Sequence, residues 1–296
     1  MISAISKLIR DAPVERRATS VMSRPKPVRA HLIAGGFPPG THAGHDMDYA
    51  RLRLLGMLAE TPNVSVTTAN DFADLARWLP GCSFLLTYVA GPFPNDEQNA
   101  VLAAWLDAGG KWLALHGTSG GKAISVGDDR RLRKMVKGAY HATLGSFFLN
   151  HPPVRRFEVK VTEHPLTRGV PPSFETTDEL YLIELQQPAK TQVLLTTELV
   201  QDPSPAGFGF AYDRDTSLQS DGKTRVLGYI REFGKGGVTY FALGHSHSPL
   251  NNLQPFVDSS VEPSGKTPLT FRGSWENLAF ERLLRNAFAW GIGSGD

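Results

Sequence analysis

The sequence predicts an α/β protein with a doubly wound, mainly parallel sheet that is extended by additional β-strands and covered by helices on both faces. In the first half, short apolar runs alternate with segments whose apolar residues recur at helical spacing. The runs are apolar throughout instead of at every second residue, which is typical of parallel strands buried on both faces. From about Arg155 onward, strand-like segments follow one another with few helices between them, which predicts the added β structure.

Four strands and two helices are predicted in the first half. The segment VRAHLIAGG is the first strand, and DYARLRLLGMLAE after it is a helix with Leu52, Leu55 and Leu58 on one face. The segments VSVTTAND and SFLLTYVAG are the second and third strands. The second helix begins near Asn95, with acidic residues in its first turn, and ends at Gly109–Gly110. The segment KWLALHG is the fourth strand.

The second half is predicted to add four strands and a closing helix. The strands are RFEVKVTEH, TQVLLTTEL, TRVLGYIREF and GGVTYFALGH, and the helix is NLAFERLLRNAFAWGI. No linker or internal repeat interrupts this pattern, so we expect residues 28–296 to form a single domain. Residues 1–27 are polar and basic and lack a continuous apolar segment, which predicts a flexible N-terminal tail and not an export signal.

Composition excludes several classes of partner and site. Lysine and arginine total 31 and the acids 29, so the chain lacks the basic field that nucleic-acid binding requires. The single cysteine, Cys82, excludes an internal disulfide framework and a cysteine-cluster zinc site, and it favours a cytoplasmic location. No run approaches the roughly 18 apolar residues of a membrane span, and we expect no membrane partner. A homodimer would be unsurprising for such a protein.

Histidines stand where several of the predicted strands end. His45 follows the first strand, His116 ends the fourth, and His245 ends GGVTYFALGH, while His141 occupies a glycine-rich loop. Ligands of open α/β sheets bind in the crevice at the carboxyl ends of the strands, so these imidazoles predict a binding site there. The other histidines are interpreted as structural or solvated, with His42 and His247 in reserve; they are His31, His42, His151, His164 and His247.

Familiar catalytic motifs are absent or incomplete. LGHSHS resembles a nucleophile elbow, but Ser248 replaces its last glycine, and the only histidine after Ser246 is the adjacent His247. The sequence has neither G-x-G-x-x-G nor a Walker motif, so no nucleotide cofactor is expected. Asp48 is predicted to cap the first helix, whereas Asp46 could either cap it or pair with His45.

Four blocks of the chain resemble the trehalose-utilisation, or ThuA-like, family over residues 28–292. They are His45-Asp46 after the first strand, the LALHG strand end at His116, FEVKVTEHPLTRGVPPSFETTDELY at residues 157–181, and GGVTYFALGHS at residues 236–246. The resemblance implies a flavodoxin-like fold similar to that of class I glutamine amidotransferases and a role in disaccharide or glycoside metabolism. It also gives weight to Glu179 in the DELY block.

The same resemblance argues against glutaminase chemistry. The amidotransferases carry a nucleophilic cysteine at the turn where this chain has His116-Gly117, and Cys82 precedes the third strand at its amino end. We therefore predict a sugar-related site without glutaminase activity. The candidate catalytic residues are His45, His116, Glu179 and His245, and the candidate substrate-binding residues are Gly36, Asp46, Tyr88, Gly117, His141 and Tyr181.

Three interpretations of this site stay open. In the first, the chain is an enzyme that uses the histidines and Glu179 as acid and base groups on a keto-sugar or glycoside. In the second, several of these side chains hold a divalent metal that polarises a substrate oxygen, as in a sugar hydrolase or isomerase. In the third, the chain binds sugar without catalysis. Convergence of at least three imidazole or carboxylate groups on one point would favour the second.

Overall fold

The structure is a computed structural model that describes residues 26–38, 40–127 and 129–294. Apart from Lys26 and Pro27, the predicted N-terminal tail lies outside these residues. The described chain is a mixed α/β protein with one large sheet, two small sheets and helices packed on them. None of its helices is long and apolar enough to cross a membrane.

Fourteen strands are present in the described part of the chain. In the first half they are β1 (Val28–Gly36), β2 (Val64–Ala69), β3 (Phe84–Ala90), β4 (Lys111–Leu115), β5 (Lys122–Val126), β6 (Asp129–Val136) and β7 (Ser146–Asn150). In the second half they are β8 (Arg155–Val161), β9 (Ser173–Asp178), β10 (Leu182–Leu185), β11 (Thr191–Glu198), β12 (Phe210–Ala211), β13 (Thr224–Phe233) and β14 (Gly236–Phe241).

Helices connect the strands of the first half and close the chain. The described α-helices are α1 (Met47–Ala59), α2 (Leu75–Trp78), α3 (Asp96–Asp107), α4 (Tyr140–Leu144) and α5 (Leu278–Ile292). Short 3-10 helices occupy His116–Ser119, Pro165–Thr167, Pro188–Lys190 and Gly273–Glu276. Helix α5 buries an apolar stripe that includes Phe280, Leu284 and Phe288 against β3 and β4, as its amphipathic sequence predicts.

The parallel part of the large sheet carries the strand ends that matter for function. The sheet order is β2-β1-β3-β4-β14-β13-β11-β8-β9, and β2, β1, β3, β4 and β14 all run in the same direction. The central strands β3 and β4 are buried along almost their whole length, which explains their unbroken apolar sequences. Their carboxyl ends therefore meet at one edge of the sheet.

The antiparallel part of the sheet curves back toward that edge. Strand β9 lies four strand spacings from β14 and, after four antiparallel pairings, runs in the same direction. In a flat sheet, spacings of about 4.8 Å would hold the two strands about 19 Å apart. The Asp178 carboxylate at the end of β9 nevertheless accepts hydrogen bonds of 2.8 and 2.9 Å from the N–H groups of Gly244 and His245. Register shifts around Leu195 in β11 lie where this bending is needed.

The sequence predicted the boundaries of α1, α3 and α5 to within two residues, but it assigned the N-cap of α1 to the wrong residue. Helix α3 has a capping box: the Asn95 side chain accepts from Gln98 N–H, and the Gln98 side chain accepts from Asn95 N–H. The prediction that Asp48 caps α1 is wrong, because Asp46 occupies the N-cap position and accepts from Tyr49 N–H. Asp48 lies two residues further along, in the first turn of α1, and pairs with Arg51 on the surface.

The α3 cap gives a stability prediction. Replacing Asn95 with alanine should lower the free energy of unfolding by about 1 kcal/mol, since a backbone donor of the first turn loses its partner. Asn95→Asp keeps an acceptor at the same position and should leave stability nearly unchanged. Urea unfolding of both variants followed by circular dichroism measures the difference. Equal stability of the alanine and aspartate variants would contradict the assigned role of the cap.

Candidate metal centre

His116 occupies a strained position directly after a buried strand. It begins the 3-10 helix His116–Ser119 with a φ of +45°, a left-handed conformation that a residue with a Cβ adopts at a cost of about 1–3 kcal/mol. Gly117 follows because a Cβ there would lie 2.7 Å from the Val89 carbonyl oxygen. The backbone carbonyl of His116 accepts from the Tyr240 hydroxyl. Nδ1 of the His116 ring lies 2.7 Å from the Ala242 carbonyl oxygen. The imidazole is therefore held firmly, with Nε2 pointing away from the strand.

His45 reaches the same region from the loop between β1 and α1. Its Nδ1 lies 2.9 Å from the carbonyl oxygen of Ala43, whose φ is +46°. The next residue, Asp46, caps α1 and receives a hydrogen bond from Arg272, while its N–H donates to the Ser246 carbonyl. The start of α1 is thereby tied to the loop that follows β14.

His245 belongs to that loop and is oriented by a second histidine. Its Nε2 lies 3.0 Å from Nδ1 of His247, and Nε2 of His247 lies 2.9 Å from the Pro268 carbonyl oxygen. His245 and His247 are both buried. Contacts of this kind fix which ring nitrogen carries the proton, as outer hydrogen bonds do for metal-binding histidines.

Glu179 brings a carboxylate to the three imidazoles. It directly follows Asp178 at the end of β9, and its side chain is 2% exposed. One carboxylate oxygen, Oε2, lies 3.1 Å from Nε2 of His116 and 3.8 Å from Nε2 of His45. The other, Oε1, lies 3.2 Å from Nδ1 of His245. The structure thus gathers all four candidate catalytic residues, with their ligand atoms within 4.8 Å of one another.

The hydrogen bonds around the cluster determine the tautomer of each imidazole. A carbonyl oxygen only accepts, so Nδ1 of His45, Nδ1 of His116 and Nε2 of His247 must carry hydrogen. Nδ1 of neutral His247 is then an acceptor, which makes Nε2 of His245 a donor. In their neutral forms, His45, His116 and His245 therefore direct unprotonated nitrogens at the Glu179 carboxylate.

Four electron pairs directed at one point repel one another unless a cation or shared protons lie between them. The Nε2 atoms of His45 and His116 are 3.1 Å apart, and neither can donate to the other when both rings are neutral. Nδ1 of His245 and Oε2 of Glu179 are buried without a hydrogen-bond partner. A tetrahedral shell with bonds of 2.0–2.1 Å places neighbouring ligand atoms about 3.3 Å apart. The His116–Glu179 and His45–His116 contacts of 3.1 Å are close to this spacing, and no two candidate ligand atoms are more than 4.8 Å apart. The residues therefore fit a divalent metal ion.

The charges in the cluster follow from burial and from the carboxylate. Burial alone raises the pKa of Glu179, but the imidazoles, His151 and His245 foremost, outweigh it and hold that pKa well below its usual range. Burial lowers the pKa of His245 well below 6.5, so this ring is neutral. Burial also lowers the pKa of His116, yet the adjacent Glu179 carboxylate reverses the effect and leaves the pKa raised. Without a metal, His116 is the ring that holds a proton beside Glu179.

Two further residues contact Glu179 that the sequence analysis had not selected. Nε2 of His151 lies 3.6 Å from Oε1, and the side-chain amide of Gln254 donates to the same oxygen. His151 directly follows strand β7, so its position at a strand end was a usable signal of the same kind as for His116. Gln254 lies in the long loop after β14, where the sequence has no pattern that marks it. His247, held in reserve, orients His245.

The candidate substrate-binding residues have diverse surroundings. The rings of Tyr88 and Tyr181 stack on His116 with centroids 6.0 and 4.1 Å away, and burial raises the pKa of both phenols well above 10. Both tyrosines are buried and support the imidazole. His141 lies in α4 outside the cluster, with its two ring nitrogens on the backbone of Gly138 and Gly120. The three remaining candidates are Gly36, Asp46 and Gly117. Gly36 forms a β-bridge with Thr41, and the positions of Asp46 and Gly117 are described above.

Comparison with known proteins identifies the family. The family model described as ThuA, trehalose utilisation, matches residues 39–255. The chain belongs to the ThuA family. The resemblance predicted from the sequence is therefore confirmed, and with it a general association with carbohydrates. A search of curated proteins found no match to the chain.

Solved structures of ThuA-like proteins share this fold. A ThuA-like protein from Bacteroides uniformis ATCC 8492 superposes with a TM-score of 0.57 at 15% identity, covering 91% of this chain and 93% of the other. One from Parabacteroides merdae ATCC 43184 gives a TM-score of 0.52 at 15% identity, with 91% and 92% covered. At such low identity, the ThuA-like structures support the fold alone.

The donor set predicts that metal affinity depends on Glu179. Glu179→Gln should weaken binding of Zn²⁺ by about 100-fold or more, because a neutral amide replaces the only carboxylate among the four ligand groups. His42→Gln is the matched control, since the His42 imidazole is 38% exposed and lies outside the cluster. Competition with a chromogenic chelator measures both affinities. A Glu179→Gln protein that binds Zn²⁺ as tightly as the parent would contradict this assignment.

The raised pKa of His116 predicts proton release when a metal binds. A raised folded-state pKa contributes stability to the metal-free protein that is complete below pH 6.5 and is lost as the pH rises through the folded value. Zn²⁺ must displace that proton, so metal binding should release protons at neutral and acidic pH, and fewer as the pH rises. Calorimetric titrations in buffers of different ionisation enthalpy count the protons. Release that does not change between pH 7 and pH 9 would contradict the prediction.

Proposed function

We propose that this ThuA-family protein is a metal-dependent enzyme of carbohydrate metabolism that acts on a sugar at the centre formed by His45, His116, His245 and Glu179. The observation that carries the proposal is the convergence of three imidazoles and one carboxylate, whose candidate ligand atoms all lie within 4.8 Å of one another. Imidazole and carboxylate are ligands of zinc and of related first-row divalent ions.

The carbohydrate part of the proposal is supported by the family. The matching model is described as trehalose utilisation, and it covers the segments that carry His45, His116, Glu179 and His245. We therefore expect a disaccharide, a glycoside or a keto-sugar as the substrate. Sugars present hydroxyl and carbonyl oxygens, which are the groups that a divalent cation coordinates and activates.

Each residue of the centre has a definite task in this proposal. When bound, a divalent cation would supply Lewis acidity to a substrate oxygen, which assists hydrolysis or isomerisation. Glu179 compensates positive charge, and His247 keeps Nδ1 of His245 free of hydrogen. His151 is 12% exposed, and its Nδ1 lies 2.9 Å from the Pro152 carbonyl oxygen, which leaves Nε2 able to accept a proton from substrate.

Glutaminase chemistry is not part of the proposed function. His116 stands at the turn where the amidotransferases carry their nucleophilic cysteine. Cys82 precedes β3 at its amino end, its side chain is buried, and its thiol donates to the Trp78 carbonyl. Burial raises the pKa of this thiol, which further lowers its nucleophilicity.

The remaining expectations accompany this proposal. We infer a flavodoxin-like, doubly wound arrangement similar to that of the class I glutamine amidotransferases, supported by the parallel order β2-β1-β3-β4-β14. A single domain, a cytoplasmic location, no nucleic-acid or membrane partner, no nucleotide cofactor and a homodimer all stay predictions from the sequence.

The proposed function can be tested with metal content and product analysis on one preparation. Elemental analysis of the purified protein should find about one divalent ion per chain. Incubation with a panel of disaccharides and keto-sugars, followed by NMR, should show a product that disappears after chelation and returns with Zn²⁺, Mn²⁺ or Fe²⁺. His116→Gln should lose the activity, whereas His42→Gln should keep it.

The outcomes separate the three interpretations of the site. Turnover that survives complete metal removal would favour acid–base catalysis by the histidines alone. Metal-dependent sugar binding without any product would indicate a binding protein. Failure to bind any divalent metal at micromolar concentration would contradict the proposed centre.

A further inference from the structure

Aromatic side chains lead from the candidate metal centre to the protein surface. His151 contacts Glu179, Phe208 meets the His151 ring edge to face with centroids 5.8 Å apart, and Phe256 lies 5.3 Å from Phe208. Exposure increases along this path: Glu179 is 2% exposed, His151 12% and Phe256 36%. The aromatic contacts therefore run from Glu179 through His151 and Phe208 to Phe256 at the surface.

The loop that carries Phe208 is fixed next to His151 by Asn150, the residue before His151. Asn150 is buried. Its side-chain NH₂ group donates to Asp202 and Ser204, and its side-chain oxygen accepts from Phe210 N–H. Gly209, between Phe208 and Phe210, has a φ of +71°, and a Cβ there would lie 2.1 Å from the Asn150 side-chain oxygen. The position of Phe208 is thus set by several hydrogen bonds and a close approach, although its ring remains partly exposed.

Phe256 comes from a different loop that also reaches the centre. Gln254, two residues before Phe256, donates to Glu179. Val257, the residue after Phe256, packs with Val154 in a small apolar cluster. The loop is therefore anchored on both sides of Phe256. Binding sites commonly combine aromatic side chains with a few polar groups.

We propose that Phe208 and Phe256 form a subsite for a second sugar ring, so that the substrate is a glycoside of at least two rings and not a free monosaccharide. A pyranose has faces of C–H groups and edges of hydroxyl groups, and an aromatic ring packs against the C–H face. One ring of the substrate lies on this aromatic pair, and the reacting ring lies at Glu179 and His151. The subsite rests on the proposed function, because it presumes that a sugar binds at the centre.

The subsite is tested by comparing ligands with one and two rings. Calorimetry on the Zn²⁺-loaded protein would use trehalose, maltose, sucrose and cellobiose, with methyl α-glucoside as the one-ring probe. For the disaccharide that binds most tightly, Phe208→Ala should weaken affinity about tenfold and leave the methyl glucoside affinity unchanged. Phe256→Ala should act in the same direction. Phe208→Leu retains bulk in the loop but removes the aromatic face, and it should also weaken disaccharide binding.

The control and the possible outcomes distinguish the subsite from the proposed function. Leu278→Ala removes an apolar side chain that is 82% exposed at the start of α5, and it should bind every ligand as the parent does. Equal Zn²⁺ content and melting temperature of the variants exclude misfolding as the cause. Disaccharide binding unaffected by either phenylalanine substitution would overturn the subsite alone. A parent protein that binds neither class of ligand would contradict the proposed function, and the subsite with it.

Discussion

The carboxylate of Asp178 is the interaction on which the geometry of the site depends. It accepts from the N–H groups of Gly244 and His245 and from the Ser274 hydroxyl, so it joins the end of β9 to the loop after β14. Burial raises the pKa of this carboxyl, and the donors oppose the shift by favouring the ionised form. Because Glu179 is the next residue, the contact that joins β9 to the loop after β14 also brings a carboxylate to the imidazoles. The fold and the site are therefore two results of one set of hydrogen bonds.

Around that contact, the protein orients the imidazoles through hydrogen bonds to their outward ring nitrogens. Backbone carbonyl groups of Ala43, Ala242 and Pro268 bind the outward ring nitrogens, directly or through His247. The inward nitrogens then have no donor to satisfy them, which is unfavourable in a buried site unless a cation is coordinated. A cluster assembled for stability alone would pair each buried acceptor with a donor, as Asp178 does nearby. Asp178 has backbone and hydroxyl donors on its oxygens, whereas Oε2 of Glu179 faces the imidazoles of His116 and His45, and this difference favours a functional role for the four residues.

Much of this arrangement could be predicted from the sequence, and the rest depends on long-range packing. Apolar runs that end in glycine or histidine located the parallel strands, and the rule that ligands bind at strand ends selected His45, His116 and His245. Glu179 could not be found in this way, since its strand is four spacings from β14 and only the curvature of the sheet returns it. His151 obeyed the same rule but was interpreted as structural or solvated. Gln254 belongs to a loop without periodicity, so no local pattern could indicate its contact with Glu179.

The strand ends that meet at this centre are distant in the chain, from residue 45 to residue 245, and this has a consequence for folding. An ion that binds only the folded chain stabilises it by mass action, by about 4 kcal/mol when its concentration is a thousand times the dissociation constant. Such an ion would cross-link the amino-terminal and carboxyl-terminal halves of the chain, because its ligands come from both halves and both must be folded before it binds. Metal supply during synthesis would then govern how much folded protein accumulates, independently of any reaction that the centre performs.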